Sequence, residues 1–253
     1  LDFAKNAQIE KTEWKYEKCN YIRSYNPYPK LNPDDIATVA AMINAAERPM
    51  IAAGQGVAIS GAEAQLIELA EKADIPVTNT LLGLSTIPSS HPLNKGMLGM
   101  HGNIGANHHT LDCDLFIAIG MRFDDRVTGD TKSYLPKAKV VHIDIDESEF
   151  DKNITTDAHI HGDAKTAIEA LLPLVNEAKH SEWIASFNQC DEVEREKVIN
   201  PELFPSDGLL KMGEVVNRVA EATNGDAILV TDVGQNQMFA SRYFKYSKPR
   251  SIV

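Results

Sequence analysis

Two arginines and two adjacent aspartates are crowded into GMRFDDRVTG (120–129), directly behind the apolar run DLFIAIG (114–120). A solvated turn needs one or two polar residues. Charges in this pattern can pair with one another, or an arginine can meet an anionic ligand through two parallel N–H bonds. In GQGV, Gly54 and Gly56 can let backbone N–H groups approach a phosphate. The next glycine is Gly61, not residue 59, so the dinucleotide fingerprint is absent and a plain tight turn stays open. HIDID is expected to place His142, Asp144 and Asp146 on one strand face, opposite Ile143 and Ile145. An acid at a strand end can hold ribose hydroxyls or cap a helix. The same choice applies to Asp163 in HGD, which precedes a helical pattern. GMLGMHGNIG (96–105) surrounds His101 with four glycines and two methionines, so its loop can offer backbone donors and soft thioether surface to a flat ligand. The other histidines read as solvated or hydrogen-bonded. His108 and His109 are adjacent and so point apart, and none of the eight has metal-binding spacing. No nucleophile elbow, P-loop, HExxH or paired-carboxylate motif is present.

The elements that must position these residues follow a β-α rhythm. NPDDIATVAAMINAAERP predicts a helix with Asn32 as cap, Pro33 in the first turn, Asp34 and Asp35 at its positive end, and an apolar stripe of Ile36, Val39, Ala40 and Ile43. Strands are expected at 49–54, 75–81, 114–120, 138–146 and 158–163. A helix is expected over 60–74, started by a Ser60–Glu63 capping box, and another follows Asp163. Short, wholly apolar strands alternating with helices imply an α/β fold: a doubly wound parallel sheet, Rossmann-like, covered on both faces over 32–176. In such sheets ligands bind at the carboxyl ends of the strands, where every stretch quoted above falls. Residues 1–31 read as an extended linker. Residues 177–207 read as a connector with little apolar pattern beyond the helix-like SEWIASFNQC. A second α/β unit starts near 208, with the helix GLLKMGEVVNRVAEAT and the strand AILVTDVG. The chain opens at LDFAKNAQ without methionine and closes on strand-like PRSIV, so an excised piece of a longer polypeptide is expected.

Composition bounds the partners. With 253 residues, 43% apolar and 24% charged, the chain can bury a real core. A net charge of −11 argues against nucleic acid or an anionic membrane as partner. Cys19, Cys113 and Cys190 are odd in number and far apart, which suggests a reducing, cytoplasmic setting rather than a disulfide framework. No apolar run reaches membrane-span length and no signal peptide opens the chain.

Taken together and in order, GQGV, TLLGLS, HPLNKGMLGMHGN, GMRFDDRVTG, HIDID, GD and VTDVGQNQM resemble the catalytic large subunits of the acetohydroxyacid synthase (acetolactate synthase) family, over essentially the whole chain. The resemblance implies a thiamine-diphosphate-dependent transferase with three α/β domains. Residues 1–31 would be the end of the pyrimidine-binding domain and a linker. Residues 32–176 would be the central FAD-binding domain, 177–207 the connector, and 208–253 the truncated start of the diphosphate-binding domain. It further implies FAD contacts at Gly54, Gln55 and Gly56, at Thr80 and Leu81, at Leu98, Gly99, Met100 and His101, and at Gly120, Met121, Arg122, Asp124 and Val127. Asp144, Ile145, Gly162, Asp163 and Ala164 complete that set. Arg126 would face the carboxylate of a 2-ketoacid substrate, with Asp125 holding one of the arginines. Gly234, Gln235 and Asn236 would meet thiamine diphosphate, although Asn236 stands where the family commonly has histidine. The activating glutamate and the Mg2+-binding motif would lie outside the chain, which alone would be inactive. A homo-oligomer and a regulatory small subunit are implied partners. Sister thiamine-diphosphate enzymes, such as a pyruvate oxidase or glyoxylate carboligase, remain the alternative, as does a non-enzymatic nucleotide-binding module. RFDDRVTG favours the synthase over the sisters.

Overall fold

The computed structural model describes residues 2–19, 22 and 26–253; the linker expected over 1–31 falls partly outside these. Its described part holds a short helix α1 (Lys5–Ile9) that buries no residue. Helix α2 (Pro33–Ala45) starts as its sequence requires. The Asn32 side chain accepts from the Asp34 N–H at 3.0 Å, and Ile36, Val39, Ala40 and Ile43 are the buried stripe.

The chain then lays down β1 (Pro49–Ala53), α3 (Gln55–Ser60), α4 (Glu63–Ala73), β2 (Val77–Asn79), β3 (Asn94–Met97), α5 (Ile104–His109), β4 (Leu115–Ile119), α6 (Asp125–Thr128), β5 (Lys139–Asp144), β6 (Ala158–His161) and α7 (Ala164–Leu171). The six strands form one all-parallel sheet in the order β3-β2-β1-β4-β5-β6. This is the doubly wound order, and its direction of winding reverses between β1 and β4. Side chains of β1 and β4 alternate between two cores. Ile51, Ala53, Ile117 and Ile119 join α2, α4 and α7 on one face. Met50, Ala52, Phe116 and Ala118 meet Ala106 of α5 on the other, together with Trp183 and Phe187.

Trp183 and Phe187 belong to α8 (Ser181–Glu194), inside the stretch read as a connector. The Trp183 indole N–H donates to the Pro49 carbonyl at 2.8 Å, so this stretch completes the second layer of the sheet. Beyond it come α9 (Asn200–Leu203), α10 (Met212–Ala222) and α11 (Gln235–Tyr243). Leu84 and Met97 pack with Ala220, Phe244, Tyr246 and Ile252, fastening this last segment to the β3 side.

Four expectations need correction. The capping box does not form: the Ser60 hydroxyl donates to Val57 at the end of α3, and α4 begins separately behind Ala62 without a side-chain cap. The two-residue break follows from Gly61, whose φ of +66° ends α3. The strand β3 was not expected, because NKGM lacks an apolar run. The expected strand 227–234 is reduced to one parallel bridge, Leu229 with Ile252, leaving Ile228, Val230 and Val233 exposed. A parallel strand needs cover on both faces, which it lacks here. Finally, Asp146 leaves the face expected from HIDID. The strand stops at Asp144, and Asp146 caps the turn Glu147–Glu149.

Candidate functional site at the reversal of strand order

At the carboxyl ends of β1 and β4, two backbone turns touch. The Gly54 N–H donates to Ile119 and the Gly56 N–H to Gly120, both at 2.9 Å, and the Gly120 N–H donates to Ile143 at 2.8 Å. A Cβ on Gly56 would lie 2.6 Å from the Gly120 Cα, and one on Gly54 only 2.1 Å from the Gly120 carbonyl oxygen. These glycines are thus required first by one another. They bring GQGV and the start of GMRFDDRVTG into a single rim.

The charged stretch then follows from alternation. Met121 and Phe123 are buried, and their carbonyls accept from His142 Nε2 and Asn153 Nδ2, each at 2.8 Å. Arg122, between them, must point outward; its side chain is 73% exposed. Asp124 caps α6 by accepting from the Arg126 N–H at 3.0 Å, and that turn sends Asp125 and Arg126 out as well. Arg122 approaches Asp124 at 3.6 Å, and Arg126 approaches Asp125 at 4.0 Å. Mutual pairing is therefore present, but the contacts are long and solvated, which leaves both guanidinium groups with free donors.

The glycine-rich loop arrives from β3. The Met100 N–H donates to the Arg126 carbonyl at 2.8 Å, which joins this loop to the charged one. Asn107 on α5 brackets Gly99, donating to its carbonyl at 2.8 Å and accepting from its N–H at 2.9 Å. Leu98 is buried, while Met100 and His101 stand exposed at the tip. On the β2 side, the Thr80 N–H donates to Ala53 at 2.9 Å and Leu81 follows in the turn 81–83.

The far side of the rim is β5 and β6. Asp144, mostly buried, lies 3.7 Å from the buried His142 ring, and its carboxylate accepts from the Asp146 N–H at 2.9 Å. His142 Nε2 donates to the Met121 carbonyl, and its Nδ1 is buried with no hydrogen-bond partner among the described residues. Ile145 is exposed. The Gly162 N–H donates to Asp144 at 2.9 Å, and the Asp163 carboxylate caps α7 through the Lys165 and Thr166 N–H groups. Asp163 thus does the capping work foreseen as one of its two readings, through a single carboxylate oxygen.

The structure therefore gathers residues 54–56, 80–81, 98–101, 120–127, 144–145 and 162–164 along one edge. Met121, Leu98 and Ala164 are buried there and can meet a ligand mainly through their backbone. Gly234, Gln235 and Asn236 stand at the exposed start of α11. Gly234 has φ +127° with open space where a Cβ would sit, and no side chain caps the helix. Its first N–H groups are thus turned to solvent, as an anion requires. Among the described residues, no three His, Cys, Asp or Glu side chains are placed to hold a metal ion. None of the described helices is long and apolar enough to cross a membrane.

Sequence reasoning missed the residues that brace the glycine-rich loop. Asn103 accepts from the Met97 N–H at 2.7 Å and donates to Glu194 at 2.9 Å. Glu194 is 3% exposed and accepts from the Ile104 N–H at 2.8 Å, capping α5 from another helix. Asn103 and Asn107 are one helical turn apart, which is the only local signal; Glu194 is 90 residues away from the helix it caps.

A model of the thiamine pyrophosphate enzyme central domain matches residues 36–171. Among curated relatives, "Probable acetolactate synthase large subunit" of Methanocaldococcus jannaschii is 42% identical, over 92% of this chain and 40% of the relative. The acetolactate synthase large subunit of Haemophilus influenzae is 35% identical over 99% of this chain and 44% of its own length. Acetolactate synthase isozyme 1 large subunit of Escherichia coli is 39% identical over 88% and 38% respectively. The chain thus spans about two-fifths of the length of these relatives. With a matched family model over more than half of its residues and the sheet order of a doubly wound domain, the chain belongs to the thiamine pyrophosphate enzyme central-domain family.

Proposed function

We propose that the chain is the central portion of an acetolactate synthase large subunit and binds FAD along the rim built on Gly54, Gly120 and the Met100–His101 loop. The enzyme would condense two 2-ketoacids, pyruvate with pyruvate or 2-ketobutyrate, with loss of carbon dioxide, in valine, leucine and isoleucine biosynthesis. Residues 32–176, with α8 packed on them, form the flavin unit. Residues 1–31 and 208–253 carry the chain into the neighbouring domains. A small subunit and a second copy of the chain are its proposed partners.

The observation that carries this reading is the convergence of three separate segments. The Met100 N–H on the Arg126 carbonyl, and Gly56 against Gly120, assemble GMLGMHG, GMRFDDRVTG and GQGV into one edge. That edge fits a flavin nucleotide. It offers the exposed thioether of Met100 and the apolar Ile145 to a flat ring, and Gln55 and the free donors of Arg122 to phosphates. The uncapped start of α11 at Gly234 fits a diphosphate, with Gln235 and Asn236 supplying amides. Thiamine diphosphate supplies the carbanion chemistry when bound. In this chain, Arg126 holds and orients the carboxylate of the acceptor ketoacid, and Asp125 limits the swing of its guanidinium. Asp124 fixes the turn from which both arginines project. Mg2+ and the activating glutamate come from sequence outside these residues, so the chain alone turns over no pyruvate.

The test uses flavin fluorescence quenching on the chain and ketoacid kinetics on the full-length enzyme. Arg122→Ala should weaken FAD binding, whereas Arg126→Ala should leave FAD bound and lower kcat/KM. A guanidinium–carboxylate bond in a partly dry site contributes about 1.5–3 kcal/mol, so the loss should be roughly ten- to hundredfold. If Arg126→Ala empties the flavin site and leaves ketoacid kinetics unchanged, the two roles are wrongly assigned.

A further inference from the structure

Arg242 lies in the last turn of α11, seven residues after Gln235, or about 10 Å along the helix from the proposed diphosphate end. Its guanidinium makes three contacts at once. Nη1 meets the Glu194 carboxylate. Nη2 donates to the His101 carbonyl at 3.0 Å and to the Gly102 carbonyl at 2.9 Å. The pair is enclosed, with 17% of the arginine side chain and 3% of the glutamate exposed. Glu194 in turn accepts from Asn103 and from the Ile104 N–H. The cluster therefore ties together α8, α11, the loop carrying Met100 and His101, and the start of α5.

Buried ion pairs add little net stability, because desolvation offsets their attraction; their best-attested use is to fix one arrangement over others. Here the arrangement is specific. Arginine's planar fork can reach a carboxylate and two carbonyls together, which a lysine ammonium on a flexible stem does not reproduce. We propose that Arg242 is a positioning residue that locks the flavin-facing loop 98–103 to the diphosphate-binding helix α11, so that displacement of one site displaces the other. This rests on the functional reading above for the ligands, but the strut is defined by the chain itself.

The variant Arg242→Lys separates positioning from stability. Lysine keeps the charge beside Glu194, and a cavity of about 210 Å³ lined by Lys95, Asn103, Asp191 and Arg242 itself gives the changed side chain room. Three quantities are measured on the chain and this variant: melting temperature, FAD affinity by fluorescence quenching, and amide exchange by mass spectrometry. We expect Arg242→Lys to melt within a few degrees of the parent. Exchange should quicken about tenfold over 100–104 and not over β4, and FAD affinity should fall about tenfold, as loss of the carbonyl bonds implies. Unchanged exchange over 100–104 overturns the strut, and unchanged FAD affinity overturns its role in the flavin site. If the parent chain binds no FAD, the functional reading fails while the exchange comparison still decides the strut. Should Arg242→Lys not fold, the uncharged pair Arg242→Gln with Glu194→Gln carries the same test, since it removes both charges of the ion pair together.

Discussion

Gly120 shows how much of the rim depends on single residues. Its φ is +59°, a region that a side chain enters only with strain, and it faces the Gly56 backbone at a distance no methyl can occupy. Gly120→Ala combines backbone strain with overpacking, together about 3 kcal/mol. Urea unfolding should show that loss, and any flavin binding should go with it; a native midpoint for Gly120→Ala would mean that the two turns can part without harm. His109 makes a second argument at this scale. Its ring stacks on Phe187, Nδ1 donates to the Gly105 carbonyl at 2.7 Å, and Nε2 lies 2.7 Å from Ser186 Oγ. Burial pushes its pKa below the ordinary 6.5, opposed by the Gly105 bond, so the fold holds the neutral ring. Below pH 6.5 the unfolded chain takes up a proton that the folded one refuses, so stability falls with pH until the folded value is passed. His109→Gln should therefore flatten the decline in urea midpoint between pH 7.5 and 5.5 relative to the parent. An equally steep decline would show that this ring does not set the slope. Residue types and local order were legible in the sequence: Asn32 as a cap, and Asp163 as a cap in one of its two open readings. What each glycine touches was not, because Gly56 and Gly120 are 64 positions apart and meet only when β1 and β4 pair.

The elements that the sequence displayed best were those buried on both faces. PMIAA and LFIAI are continuous apolar runs, and they became the two central strands. The strand β3, polar at Asn94 and Lys95, lies at the sheet edge beside β2 alone, where no hydrophobic run is required. Helix α8 was legible as helix-like over SEWIASFNQC, but its packing as a layer of the fold was not. Only Trp183, Phe187 and Glu194 of its fourteen residues are buried, so its stripe is too sparse to stand out. Yet those aromatics close the core over Phe116, and Lys95, whose pKa burial lowers against the pull of Asp191, sits over the Phe187 ring at 5.9 Å. Removing a fully buried phenylalanine costs about 3–5 kcal/mol. Phe187→Ala should lower the unfolding free energy by that amount, whereas Trp14→Ala, 81% exposed in the unpacked N-terminal stretch, should change it by a few tenths. Equal effects from the two would mean that α8 is a tether and not a layer of the fold.

For the whole molecule, the question is whether ligand site and core form one cooperative unit. Three different segments build the rim, and each ends a strand of the same sheet, so the rim can be lost only by moving strands that carry the core. Cys113 reports on that core. It is fully buried between α5 and β4, and desolvation, with Asp114 adding, pushes its thiol up to about 12. A thiol held neutral and out of solvent reacts only when the structure around it opens. Labelling of Cys113 by a thiol reagent, followed on its own peptide by mass spectrometry, should thus track global unfolding, while the exposed Cys19 labels directly. A ligand that binds only the folded state reduces the open population by the factor 1 + [L]/Kd. With FAD at a hundred times its dissociation constant, Cys113 labelling should slow by roughly a hundredfold, with no change at Cys19. If fluorescence shows FAD bound at that concentration and Cys113 labels at its former rate, the flavin sits on a part of the chain that opens independently of the sheet. The placement of the site across β1 and β4 would then be wrong.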